Sequence, residues 1–180
     1  MPLNAEERAA LLALARHTLE VYLASGERPK LEAASGGFME ESGAFVTLHQ
    51  GDDLRGCIGS FIGEGPLQET VQNMAVAAAT RDPRFPSVQA DEVPGLTLEI
   101  SVLSPLRHGT PEEVEVGVHG VYITRGRHRG VLLPQVATEH GWDRETFLDH
   151  TCLKAGLPPG TWRDAETHIE LFTAQVFSEG

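Results

Sequence analysis

Between Leu96 and Leu103 the chain reads LTLEISVL, with Leu96, Leu98, Ile100 and Val102 separated by Thr97, Glu99 and Ser101. Strict alternation places the apolar set on one side of an extended strand and the polar set on the other. One buried face and one wet face is the habit of antiparallel sheets, since parallel sheets are covered on both sides. Two hairpin signals join this strand. Residues 44–49 (AFVTLH) and 54–61 (LRGCIGSF) flank the turn residues Gly51-Asp52-Asp53, and residues 121–124 and 131–133 flank RGRHRG, with Pro134 ending the pair. A last strand is expected over residues 168–177, with Phe172, Ala174 and Val176 on one face.

Helical spacing separates these strands. Asn4 and Glu7 form a capping box ahead of Leu11, Leu14, Ala15, Thr18, Leu19 and Tyr22, and the stripe closes near Ser25-Gly26. Pro66 is expected at the first position of a second helix, buried through Leu67, Val71, Met74, Ala75 and Ala78 and stopped before Asp82-Pro83. Asp143 caps a third, faced by Phe147, Leu148, Thr151, Cys152 and Ala155 and ended by Gly156. Residues 33–43 read as a Gly/Ser-rich loop, and residues 82–95, with three prolines, as a stiff connector. Hairpins with helices inserted between them predict an α+β fold with a mostly antiparallel sheet.

A chain of 180 residues fits one domain, or one domain with a smaller lobe formed by inserted segments. Two unclustered cysteines argue against a disulfide scaffold and a zinc ribbon. The formal charge of −12 disfavours nucleic acid and anionic membranes as partners, although 12 of the 14 basic residues are arginine and a local basic pocket is compatible with it. Glu6 and Glu7 stand where a signal peptide is basic, and charges interrupt the first apolar segment, so neither a signal peptide nor a membrane span is expected. The expected location is cytoplasmic. No phosphate-binding glycine loop, HExxH or zinc-spaced Cys/His pair occurs, so neither a metal site nor a cofactor is expected.

The chemistry concentrates in Leu54-Arg55-Gly56-Cys57-Ile58-Gly59. In a regular strand Leu54 and Ile58 point to the core, while Arg55 and Cys57 share the other face about 7 Å apart. A guanidinium near a thiol favours thiolate, the nucleophilic form, and Gly56 and Gly59 leave backbone N–H groups open to a ligand. Cys57 is therefore the candidate nucleophile, with Arg55, Gly56 and Gly59 as candidate contacts to a small anionic ligand. A buried small cysteine in a Gly-bulged strand accounts for the same residues. His119, in GVHGVYI, is the candidate base, with His49 as a second; a histidine satisfied in a turn accounts for His119 equally. Asp82 and Arg84 in DPRF are expected to pair across Pro83, which makes Arg84 a further candidate ligand contact or part of a plain surface turn. Cys152 is expected in the core. The RGRHRG tip is a small cationic patch.

From LRGCIG outward, the sequence resembles the AMMECR family. The likeness extends through GAFVTL at 43–48, LRGCIGSF at 54–61, AAATRDPRFPSV at 77–88, LEISVLSP at 98–105, HGVYI at 119–123, GVLLPQVATEHGWDRETFL at 130–148 and TCLKAGL at 151–157. Ser60 stands where threonine is common, and Ser87 where proline is common. The resemblance implies an α+β fold with a larger and a smaller subdomain and a cleft between them. It implies no established activity. It does imply grouping with a Memo-like protein and a radical SAM protein, and a candidate active site at Arg55, Gly56, Cys57 and Gly59. Two functions follow as expectations: an enzyme or small-molecule-binding protein working through Cys57, or a non-catalytic scaffold whose acidic surface meets a basic partner.

Overall fold

The computed structural model describes residues 2–63 and 65–180, and the chain divides into two compact units. The first runs to Leu103 and takes in Gln175–Gly180 as well; the second is the intervening Ser104–Ala174. The fold is α+β and antiparallel, as the alternation and the hairpins predict, with the strands divided between two sheets.

In the first unit, helix α1 (Ala5–Ser25) starts on the expected capping box. Asn4 Oδ1 accepts from Glu7 N–H, Glu7 Oε2 accepts from Asn4 N–H, and Gly26 ends the helix at φ +76°. Strands β1 (Ser42–Gln50) and β2 (Asp53–Ile62) form the first hairpin, with Gly51 at φ +63° in the turn. Helix α2 (Leu67–Thr80) follows, with Pro66 at its N-cap, one position earlier than expected. Strand β3 (Leu96–Leu103) and a distant strand β8 (Ala174–Ser178) complete a sheet of order β2-β1-β3-β8. The core joins Leu11, Ala15 and Leu19 of α1 and Val71, Ala75 and Ala78 of α2 to Val46, Leu48, Leu98 and Ile100 of the sheet. The apolar side of β3 is buried as expected. Its polar side is drier than alternation predicts, since Ser101 is buried and Thr97 and Glu99 are half-buried.

The second unit holds strands β4 (Arg107–His108), β5 (Gly120–Arg125), β6 (His128–Leu132) and β7 (His168–Phe172) in the order β4-β7-β5-β6, with helices α3 (Pro134–His140) and α4 (Arg144–Lys154). Asp143 caps α4 through Thr146 N–H, and Phe147, Leu148 and Cys152 bury their side chains among Val121, Ile123, Ile169 and Leu171. Three features depart from the sequence reading. Pro134 opens a helix as well as ending a strand. The two-residue β4 has no periodic signal. The strand expected over 168–177 is two strands, β7 and β8, which lie in different sheets and break at the exposed Thr173.

Candidate functional site

The register of β1 against β2 shifts once. His49 pairs with Leu54 and Leu48 with Gly56, so Arg55 is an extra residue, a β-bulge. Beyond it Thr47 stands opposite Cys57, and their Oγ1 and Sγ atoms are 3.2 Å apart, within hydrogen-bond reach with either group as donor. Cross-strand partners share a face, so Leu54, opposite His49, lies on the face away from Leu48 and not in the core as alternation predicts. Ile58 packs against the core as expected. Cys57 itself is half-buried.

The same bulge interrupts the alternation that would set Arg55 beside Cys57. Its side chain is 11% exposed, and its guanidinium is held by Glu92 (Nε–Oε1 3.1 Å, Nη2–Oε2 3.3 Å) and donates to the Pro86 carbonyl at 2.9 Å. Hydrogen bonding to Arg55 in turn pulls the Glu92 carboxyl below its ordinary value. The two glycines are likewise occupied by packing. A Cβ on Gly56 would lie 2.2 Å from the Ala78 carbonyl oxygen of α2, and one on Gly59 would lie 2.1 Å from the Phe45 ring. The bare backbone therefore admits protein: a helix on one side and an aromatic ring on the other.

The cation linked to Cys57 comes instead from the DPRF turn, through a shared carboxylate. Asp82, with its side chain 2% exposed, accepts from Cys57 N–H through Oδ2 (3.0 Å). The same carboxylate accepts from Arg84 Nη2 through Oδ2 (2.7 Å) and from Arg84 N and Nε through Oδ1 (3.0 Å each). One buried carboxylate thus fastens the edge of β2 to the turn that carries Arg84. The Arg84 side chain stays 56% exposed. Hydrogen bonding from Arg84 holds the Asp82 carboxyl far below the usual carboxylate range, against the opposing effect of burial. Arg84 is raised above its ordinary value, chiefly by its bond to Asp82 and in smaller part by the charges of Asp82 and Cys57.

Of the other candidates His49 lies on β1, opposite Leu54, and the rest lie in the second unit. His119 accepts from Glu115 N–H at Nδ1 (3.0 Å), which closes a turn ahead of β5. Cys152 is fully buried, and burial pushes its thiol up. At the cationic hairpin tip Arg125 pairs with Asp164 and Glu166, while Arg127 and Arg129 carry no ion pair among the described residues. Among the described residues no group of three or more His, Cys, Asp or Glu side chains is arranged to hold a metal ion. No described helix is long and apolar enough to cross a membrane.

From the sequence alone Asp82 is expected only as a pairing partner of Arg84, and neither Thr47 nor Glu92 is a candidate. The aspartate's signal lay in its surroundings: an acidic residue ahead of a proline, directly after an apolar helix, is a natural cap for an open strand edge.

A family model described as AMMECR1 matches residues 12–177. A protein of Methanothermobacter thermautotrophicus is 42% identical over 99% of this chain and 97% of its own length. Protein MK0488 of Methanopyrus kandleri is 43% identical over 98% and 90% respectively. The crystal structure of uncharacterized protein PH0010 from Pyrococcus horikoshii superposes with a TM-score of 0.81 at 42% identity, over 94% of this chain and 90% of that one.

Proposed function

The chain belongs to the AMMECR1 family, and we propose a function from the Cys57 site itself. Cys57 is the reacting or ligand-contacting thiol of an enzyme or small-molecule-binding protein, and Arg84 anchors an anionic group of the ligand. The observation that carries this reading is the shared carboxylate of Asp82. It binds the amide of Cys57 and the guanidinium of Arg84 together, while leaving the arginine more than half exposed to a ligand. Thr47, within reach of Sγ, can donate a hydrogen bond to a thiolate or accept one from the thiol. Arg55 serves as a positioning residue, because Glu92 and Pro86 occupy its guanidinium. In this reading the Memo-like and radical SAM proteins suggested by the family resemblance are the working partners, and the site is cytoplasmic.

The test is alkylation. Cys57 should react with iodoacetamide at pH 7 faster than free cysteine, and a large excess of the Arg84→Gln variant's labelling time over that of the wild type is expected. Cys152, buried in the second unit, should stay unlabelled in the folded protein. If Cys57 reacts no faster than free cysteine and R84Q changes nothing, the activated-thiol reading is wrong.

A further inference from the structure

The second unit contains a groove of about 520 Å³ formed by the residues around β4, the first turn of α4 and the loop before β7. That volume is in the range of small-molecule sites. None of its lining residues belongs to the Cys57 site. Three of its five charged residues are already paired: Asp164 with Arg125, and Glu145 with Arg163 at 3.7 Å. Two others, Arg144 and Glu112, carry no ion-pair partner among the described residues.

Arg144 is set in the first turn of α4, where the helix dipole disfavours a cation, so helix stability does not explain it. Its Nη1 donates to the Glu112 carbonyl oxygen (3.2 Å), which fixes the guanidinium in the groove wall and leaves its remaining N–H groups unused. Arg163 lies over the Trp162 ring at 4.0 Å, and the indole is pinned by its own bond to Asp149 Oδ1 at 2.8 Å. The indole side of the groove is thus held in place, and the lining includes one residue of each sign, Arg144 and Glu112, without an ion-pair partner among the described residues. A simple anion would meet the Glu112 carboxylate, and a simple cation would meet the Arg144 guanidinium. A ligand carrying both signs satisfies both.

We propose that this groove binds a small zwitterion of the short-peptide class, its carboxylate against Arg144 and its ammonium against Glu112. The proposal is independent of the Cys57 reading. The probe is trialanine, compared with its N-acetyl and C-terminal amide forms by NMR titration of the full chain, following the Gly109 and Glu145 amides and the Trp162 indole N–H. Trialanine should bind with a Kd of about 1 mM or tighter. Acetylation or amidation should each weaken binding about tenfold, the scale of one charge-assisted hydrogen bond. Arg144→Gln should abolish the sensitivity to amidation, and Glu112→Gln the sensitivity to acetylation. Both residues are exposed, and an unchanged Trp162 indole signal in the free variants verifies their fold. Absence of shifts up to about 10 mM, equal binding of all three peptides, or dependence on the carboxylate alone would each overturn the proposal.

Discussion

Replacing Asp82 by asparagine keeps the side chain's shape but turns one acceptor oxygen into a donor that faces N–H groups. Four donors from Cys57 and Arg84 now converge on its two oxygens. D82N should destabilise the protein by about 2–4 kcal/mol in urea denaturation, because the network loses its negative charge and one of its two acceptor oxygens. It should also slow alkylation of Cys57, since Arg84 is released. The pH dependence has a definite sign. The folded carboxyl titrates below its unfolded value of about 4, so its stabilisation is complete above that pH and is lost on acidification. Wild-type stability should therefore fall below about pH 4 more steeply than that of D82N. At this scale the sequence exposed the participants and concealed their arrangement. The turn at Gly51 suggests the hairpin, but the bulge at Arg55 moves every later pair by one residue, and nothing in LRGCIG marks which residue is the extra one.

Gly56 is where one element touches another without room for a methyl group. A Cβ there meets the backbone of α2, which cannot rotate away as a side chain can. Gly56→Ala should cost about 1–3 kcal/mol, read as a lowered urea midpoint, as α2 is pushed off β2. Helix starts and hairpins were the legible elements because they are written locally: Asn4 with Glu7, Asp143, Gly51 and the RGRHRG turn all act within a few residues. The seven residues of α3 are too few to display a 3.6-residue period, and Pro134 signals a helix start as readily as a strand end. The run 168–177 alternates well enough to look continuous. Its division at Thr173 is set by which sheet has a vacant edge, and that information is not local.

At the scale of the whole molecule, the first unit is fastened by the last residues of the chain. Glu179 takes Arg16 Nε at 2.6 Å and Nη2 at 2.8 Å, and also Leu98 N–H at 2.9 Å. Arg16 further binds the carbonyl of Val93, so a single ion pair links α1, the connector before β3, β3 itself and the C-terminal segment. Hydrogen bonding from Arg16 pulls Glu179 below its ordinary value. Glu179→Gln should lower stability by about 1–2 kcal/mol at pH 7, measured by thermal unfolding, with the difference from wild type shrinking in acid as Glu179 protonates. Patterning anticipated the fold class, and the likeness of the segments around LRGCIG anticipated the family. A smaller lobe formed by inserted segments was among the expectations, but without boundaries, since no linker-like stretch marks either crossing.

Those crossings meet at a single point, where Ser104 N–H donates to the Thr173 carbonyl and Thr173 N–H donates to Ser104 Oγ. The strands on either side, β3 and β8, are neighbours in one sheet yet are separated in the chain by the whole second unit. A ribosome thus delivers all of that unit before it delivers the strand and the carboxylate that complete the first. Until then the nascent chain carries β3 with one edge unpaired, the state in which sheets recruit wrong partners. Order of synthesis and order of assembly run in opposite senses here, and the final few residues decide when the first-made half is finished.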